Sequence, residues 1–570
     1  MAKKIGVFIC YCGGNISDFV DVEKIAQEIA HEDDVVRAKT HMFVCSDAAQ
    51  EEIIREIKER GLEALVIASC SPKLHLETFR RLAQRAGLNP YTYIQVNIRE
   101  QCSWAHTHNR EEATEKALRL VRAGVARARM ARPLKPIEIK TIPAALVVGA
   151  GITGLRTAVA LSDLGLTVHL VEKEKRVGGL LNHLDRLFPY GRQATELIEE
   201  LRREVERREN IHLYLEAEVT KKTGSVGNFK LTIVGPEGEK EVHVGAVLVA
   251  TGGNPYVPNP GEYGYGAPGI LTLLDFHRLI RDCRGAKRFV FNGHPVRRVV
   301  FIYCVGFREK KGHRFCSRYC CAAGVYAGLT LKKDFPQIEQ FHLYRDMRTY
   351  GSLERLYHQA LEEGLVFVRF NETHRPEVLE TEEGLTVRVK DELTGGKELA
   401  ISCDLIVLVT GLEGKEQQKL VDVLKLPVGK DGFFNEIHPK LRPVETVIDG
   451  LFITGACQAP KNISESVASG LAAAAKSGVL LLPGKLDLEP QIARVNLQKC
   501  SWCGLCAEAC PYEAIVKEEI QGKAVARVNP ALCKGEGACV PVCPEEAIEV
   551  QGYEHQQIKA MIDALCKETA

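Results

Sequence analysis

The sequence predicts an α/β protein built from several compact units, and three observations carry that prediction. Residues 144–179 read as strand, Gly-rich turn, helix, strand and acid. Residues 1–142 alternate apolar runs of strand length with segments of helical period, the pattern of a small parallel α/β sheet. From Cys500 to Cys543, cysteines recur at short gaps in two runs, each closed by a proline. A chain of 570 residues exceeds one ordinary domain. Its formal net charge is +1 with both signs well mixed, so no basic arm points to nucleic acid. No run of about 20 apolar residues offers a membrane span, and the apolar stretch near the N-terminus is too short for a signal peptide. A soluble, cytoplasmic protein is expected. The 20 cysteines then read as metal ligands rather than disulfides, because they cluster at short spacings in a large chain.

In residues 1–142, strands are expected at 4–9, ending at 42–44, and at 64–68, with helices at 22–30, 53–60 and 78–86. Cys10 and Cys12 follow the first strand, Cys45 the second and Cys70 the third; Cys102 comes later in Gln101-Cys102-Ser103-Trp104. Parallel sheets place ligands at the carboxyl ends of their strands, so these five residues are candidates for a shared iron–sulfur cluster. Between Cys10 and Cys12 the sequence does not choose. The alternative is that they are small buried hydrophobes, as free cysteines often are. Residues 114–129 form a basic, Ala-rich helix whose arginines are expected on a solvated face. Pro133, Pro136 and Pro143 mark the linker that follows.

The second unit, residues 143–485, opens with the strand–turn–helix stretch. Gly149, Ala150, Gly151, Ile152, Thr153 and Gly154 match Gly-x-Gly-x-x-Gly in the setting that motif requires. Gly149 allows the tight turn, Gly151 lets main chain approach a pyrophosphate, and Gly154 lets helix and strand pack closely. Glu172, at the end of the next strand, is placed for ribose hydroxyls, followed by Lys173 and by Gly178, Gly179, Leu180 and Asn182. A dinucleotide site is expected. Ala250, Thr251 and Gly252 end another strand, and residues 404–411 repeat that pattern up to Gly411. Gly455 and Ala456 lie in a late Gly-Leu-Phe-Ile-Thr-Gly-Ala motif, with a helix expected at 465–475. The order resembles the thioredoxin-reductase class: an FAD domain, an inserted second domain (about 255–410), and a return to the FAD domain. That class usually has an Asp in the late motif; here Cys457-Gln458 stands there, so Gln458 or main chain is expected to contact the flavin.

The inserted part should carry its own Gly-rich loop for a nicotinamide nucleotide. The strand 298–303 is present, but Cys304 follows it, then Phe315-Cys316-Ser317-Arg318-Tyr319-Cys320-Cys321. Four thiols suit a cubane cluster, so a cluster is expected in place of the nicotinamide site. A redox-active dithiol is the rival reading.

The third unit, 490–550, holds the most specific signal. Cys500-x-x-Cys503-x-x-Cys506-x-x-x-Cys510-Pro511 is the bacterial ferredoxin run. The second run is Cys533, Glu536, Cys539 and Cys543-Pro544, with Glu536 where a cysteine belongs. Since the fourth cysteine of each run serves the other cluster, Cys500, Cys503, Cys506 and Cys543 form one full set. Cys510, Cys533 and Cys539 form the other, with Glu536 or nothing as the fourth ligand, so a three-iron or a carboxylate-ligated four-iron cluster is expected. A structural zinc site is the alternative for this unit. Cys283, Cys403 and Cys566 read as ordinary solitary residues, and 551–570 as a helical tail.

Nearly the whole chain resembles the flavin-carrying, A-type iron–sulfur subunit of heterodisulfide reductase, in a short form. The matching motifs include Cys10-Tyr11-Cys12-Gly13-Gly14-Asn15, Ser69-Cys70-Ser71-Pro72, Asn97-Ile98-Arg99-Glu100-Gln101-Cys102, Phe315 to Cys321, Tyr344 to Arg348 and the ferredoxin tail. The resemblance implies an oxidoreductase subunit with FAD and about four [4Fe-4S] clusters, and no catalytic residue beyond the cofactors. FAD in that family exchanges electrons in pairs and the clusters singly, in some members by electron bifurcation. Implied partners are the other reductase subunits, a hydrogenase or formate dehydrogenase acting through an adaptor protein, and ferredoxin, in a dimer of larger units. Departures are the absence of cysteines in 180–250, where larger members carry an insert; Tyr326, where bifurcating members carry a lysine; and Glu536. Two other classes remain open: a stand-alone NAD(P)H-acceptor flavoenzyme, and a relay subunit of an acyl-CoA or methylene-folate type reductase.

Overall fold

A computed structural model describes residues 3–381 and 384–566. The chain folds as two compact units, one combining Met1–Glu138 with Asp487–Ala570 and the other spanning Ile139–Leu486. Among the described residues no helix is long and apolar enough to cross a membrane.

In the first unit, β1 (Ile5–Cys10), β2 (Val35–His41), β3 (Ala64–Ser69) and β4 (Tyr93–Asn97) make one parallel sheet in the order β2-β1-β3-β4. β1 and β3 are buried throughout, as their unbroken apolar sequences require of central strands. β2 ends at His41, so residues 42–44 lie just beyond the strand expected to contain them; Met42 and Phe43 are exposed. β4 has no counterpart among the expected strands, because Gln95 interrupts its apolar pattern. Gln95 is satisfied by its neighbours: Nε2 donates to the Cys70 carbonyl at 2.8 Å and Oε1 accepts from the Tyr93 hydroxyl at 2.7 Å.

The helices α1 (Val22–Ile29), α2 (Asp47–Arg60), α3 (Pro72–Ala86) and α4 (Arg110–Met130) pack on this sheet. α4 corrects the expectation of a solvated arginine face. Arg122 Nε pairs with Glu32 at 2.9 Å and Arg129 Nε with Asp34 at 3.3 Å, while Arg127 lies 3.8 Å from the Tyr553 ring centre and donates to the Gly552 carbonyl. A helix buried on two sides must pair its cations. The C-terminal helix His555–Cys566 packs on α4, and the ferredoxin-like segment that precedes it in the chain forms two antiparallel strand pairs, 493–495 with 548–550 and 515–520 with 523–528.

The second unit contains one layout twice. Its first half is a parallel five-stranded sheet, in the order Ile211–Tyr214, Thr167–Val171, Ala144–Val148, Ala246–Val249, Leu451–Ile453, beside a three-stranded antiparallel sheet at 218–244. Its second half repeats this with Ile270–Thr272, Leu405–Thr410, Arg298–Val305, Glu339–Tyr344 and Val366–Arg369, beside antiparallel strands at 377–403. The chain leaves and re-enters the first half side by side: Asn254 pairs with Glu413 and Pro255 with Leu412. The late helix is longer than expected, Ile463–Leu481, and starts at a capping box of Asn462 and Glu465.

Candidate functional site

A cavity of about 1420 Å³ opens at the carboxyl ends of the first half's strands. Gly149, Gly151, Ile152, Thr153, Glu172, Lys173, Gly178, Gly179, Leu180, Asn182, Ala250, Thr251, Gly252 and Ala456 line it. Gly149 has φ +101°, and a Cβ there would stand 2.6 Å from the Ala250 carbonyl oxygen; a Cβ on Gly154 would stand 1.7 Å from that of Gly149. These two glycines close the turn. Gly151 differs: nothing lies within 4 Å of its would-be Cβ, so it leaves space on the cavity wall. It caps the helix Ile152–Asp163 without a side-chain hydrogen bond, leaving the first N–H groups free for an anion. Glu172 is buried; its Oε2 accepts from the Ala150 N–H at 2.7 Å and its Oε1 from the Glu174 N–H at 3.1 Å. A dinucleotide fits this donor set, with the phosphates at the helix end and a ribose at Glu172.

Five expected contacts do not line the cavity: Ala150, Gly154, Gly411, Gly455 and Gln458. Gly411 does not line the cavity, since Ser317 fills the space beside it. Gln458 also stands outside: its Nε2 donates to Glu436 Oε2 at 2.8 Å and to the Pro443 carbonyl at 2.5 Å, and its Oε1 accepts from Lys461. Lys461 and Lys415, which sequence reasoning missed, line the cavity instead. Lys415 Nζ donates to the Thr251 carbonyl at 2.8 Å, and burial lowers the pKa of both ammonium groups. Each follows a strand-ending Gly turn by a few residues, the one sequence signal that could have marked them.

The loop that carries the second half's cysteines borders the same cavity. Tyr319 and Ala323 line it, and Ser317 Oγ accepts from the Leu412 N–H at 2.8 Å. Arg318 reaches Glu465 and so ties the loop to the late helix. Cys304 sits at a bulge with φ +63°, and Cys320 and Cys321 open the helix Cys320–Asp334. Burial raises Cys304 to about 11, with Cys321 adding to it and Arg308, 3.9 Å away, opposing. Cys320 and Cys321 hydrogen-bond each other, which raises the first and lowers the second. Cys316 Sγ accepts from the Arg318 N–H at 3.3 Å. Behind them the buried Tyr303 hydroxyl meets His342 Nδ1 at 2.9 Å. Tyr326, one turn beyond Ala323, packs on Phe188.

In the first unit the carboxyl ends of β1, β2 and β3 bring Cys10, Cys12, Cys45 and Cys70 together. Burial raises Cys10 to about 11, with Cys12 and Cys45 contributing, and raises Cys70, where Cys12 and Cys45 contribute again. Cys102 does not join them. It is fully buried in the core at a π-helical turn, Arg99–Ser103, and its charged neighbour is Lys116.

The ferredoxin-like segment sorts its thiols as the spacing implies. Cys500, Cys503, Cys506 and Cys543 line one small pocket. Burial raises Cys539 to about 11, with Cys533 adding first and then Cys506 and Cys510. The two runs match in detail: the N–H groups of Ala526 and Ala493 meet Cys500 and Cys533, and those of Ala547 and Ala514 meet Cys543 and Cys510, at 3.3–3.4 Å. Glu536 is exposed, between Gly535 and Gly537 at positive φ, and its charge reaches Tyr512. These sulfur donors with main-chain N–H support fit iron–sulfur clusters. Among the described residues no three His, Cys, Asp or Glu side chains close up around a single metal ion. Cys283 and Cys403 are buried and Cys566 is exposed.

Comparison with known proteins agrees with this division. The pyridine nucleotide-disulphide oxidoreductase family matches residues 111–256 and 143–302, and the 4Fe-4S dicluster domain matches 499–547. Thioredoxin reductase of T. acidophilum is 16% identical and covers 60% of this chain and 97% of its own, with a TM-score of 0.40. One of the A-type iron–sulfur subunits of CoB–CoM heterodisulfide reductase from Methanopyrus kandleri is 34% identical over 92% of both chains. The A-type subunit of the H2:CoB–CoM heterodisulfide, ferredoxin reductase from Methanothermobacter thermautotrophicus is 35% identical over 90% of this chain and 91% of its own. The protein is therefore an oxidoreductase with a flavin fold and [4Fe-4S] clusters, and its role is electron transfer. The chain belongs to the family of A-type heterodisulfide reductase subunits.

Proposed function

We propose that this chain is the flavin-carrying subunit of a heterodisulfide-reductase-like complex, passing electrons between a hydrogenase-, formate dehydrogenase- or ferredoxin-type donor and a partner reductase. The observation that carries this reading is the shared border of cavity and cysteine loop. Tyr319 and Ala323 flank Cys320 and Cys321 and line the same cavity as Gly151. FAD supplies interchange between two-electron and one-electron transfer there, and each cluster carries one electron. Gly149, Gly151 and the helix end hold the phosphates, Glu172 the ribose, and Lys415 and Lys461 add positive charge.

Four cysteine sets hold the clusters: Cys10, Cys12, Cys45 and Cys70; Cys304, Cys316, Cys320 and Cys321; Cys500, Cys503, Cys506 and Cys543; and Cys510, Cys533 and Cys539 with Glu536. A relative named as part of an H2/formate:CoB–CoM heterodisulfide, ferredoxin reductase supports donors and acceptors of these classes. Its name joins two acceptors, which favours bifurcation as a second reading, while Tyr326 stands where bifurcating members carry a lysine.

The test is anaerobic mixing of the purified protein with NADH. The flavin absorbance stays oxidised, and a low-potential one-electron reductant bleaches flavin and clusters together. Rapid flavin bleaching by NADH alone would overturn the proposal in favour of a stand-alone NAD(P)H flavoenzyme.

A further inference from the structure

Arg99, just past β4, turns its side chain in among the N-terminal thiols. Its Nη1 lies 3.5 Å from Cys12 Sγ, and its charge also acts on Cys45 and Cys70. Two neighbours fix it there. Nη2 donates to Glu100 Oε1 at 2.7 Å, while Glu100 Oε2 accepts from the Ser71 N–H at 3.0 Å, next to Cys70. The guanidinium carbon lies 4.5 Å from the Trp104 ring centre. With 14% of its side chain exposed, Arg99 is not an ordinary solvated surface charge. The ferredoxin-like thiols of the same unit accept from main-chain N–H groups instead.

We infer that Arg99 raises the reduction potential of the cluster assigned to Cys10, Cys12, Cys45 and Cys70; this rests on the reading that these thiols hold one. Reduction adds one electron and one negative charge, makes and breaks no bond, and draws on the flavin or on a partner's iron–sulfur carrier. A fixed cation at hydrogen-bonding range of a ligand sulfur favours the more negative state. Glu100 offsets part of that field, so the effect is moderate. Arg99 is thus a positioning and tuning residue, neither a ligand nor a catalyst.

The experiment is an EPR-monitored reductive titration of anaerobically purified full-length protein, in which the N-terminal signal is the one that Cys70→Ala removes. Arg99→Gln keeps the iron and moves that midpoint downward, the reduction equilibrium falling about tenfold, or about 59 mV for one electron. Arg99→Lys, which keeps the charge without the fork, recovers most of the shift. An unchanged midpoint in Arg99→Gln overturns the inference. If Arg99→Gln loses the iron, Arg99→Lys decides: a cluster retained near the native midpoint supports the inference. Iron loss there, or a full tenfold shift, assigns Arg99 a structural role instead. Full iron retention in Cys70→Ala overturns the cluster reading and this inference with it.

Discussion

The N-terminal thiols and the ferredoxin-like thiols share one compact unit but reach their geometry by different routes. In the ferredoxin-like segment, one contiguous stretch supplies every sulfur, and N–H groups of Ala493, Ala514, Ala526 and Ala547 support them. That arrangement is written into the local sequence. The N-terminal thiols come from the ends of β1, β2 and β3, and their nearby charge comes from a side chain, Arg99. Such a site exists only once the sheet has formed, so its metal affinity is coupled to folding. Its electrostatics can be changed by one side-chain substitution, whereas removing a main-chain donor takes a proline, which also fixes φ.

The largest test of this contrast is Cys543→Ala. Although Cys543 belongs to the second run, it lines the pocket of the first, so its loss should cost about four irons and the EPR signal of the set holding Cys500. Loss confined to the second set's signal would break the pairing. A smaller, selective effect is expected from Gly124→Val. A Cβ at Gly124 would lie 2.4 Å from Val96 Cγ2, so α4 is pressed against β4 there. The added bulk should cost about 1–3 kcal/mol and lower N-terminal iron occupancy while the ferredoxin-like signals persist. Equal loss from both would show that the two sites share one folding dependence.

Cys102→Ala should leave the iron content unchanged, at a stability cost of about 1 kcal/mol measured in denaturant, because Cys102 lies in the core apart from the other thiols. Loss of about four irons would make it a ligand. The smallest effect is a slope with pH in the second unit. Burial holds His342 neutral with a pKa of about 3, well below the unfolded value of 6.5. Its contribution is complete above pH 6.5 and is lost as pH falls towards about 3, since the unfolded chain binds the proton first. Thermal midpoints recorded between pH 7 and 4 should decline less steeply in His342→Gln; an unchanged slope would remove His342 from the account.

The legible parts of the molecule were those with local codes. The turn from Gly149 to Gly154 follows a known residue pattern, and one of its close contacts, Gly154 on Gly149, lies within the motif; the ferredoxin spacing carries its own partner assignment. Both were readable from residue order. The strand β4 was hidden by Gln95, whose polarity is satisfied by Ser69, the Cys70 carbonyl and Tyr93. The exclusion of Cys102, the turning-away of Gln458 and the arrival of Lys415 at Thr251 depend on contacts between residues far apart in the chain. The arginines of α4 misled for a related reason: a helix face that reads as polar is covered here by acidic partners and by Tyr553.

The most direct test of the account is the iron, sulfide and flavin content of anaerobically purified full-length protein. Four cysteine sets around one flavin cavity predict about one FAD with roughly fifteen to sixteen irons. Roughly eight irons per flavin would contradict it, leaving clusters only in the ferredoxin-like segment and making the thiols at Cys304, Cys316, Cys320 and Cys321 a redox dithiol site.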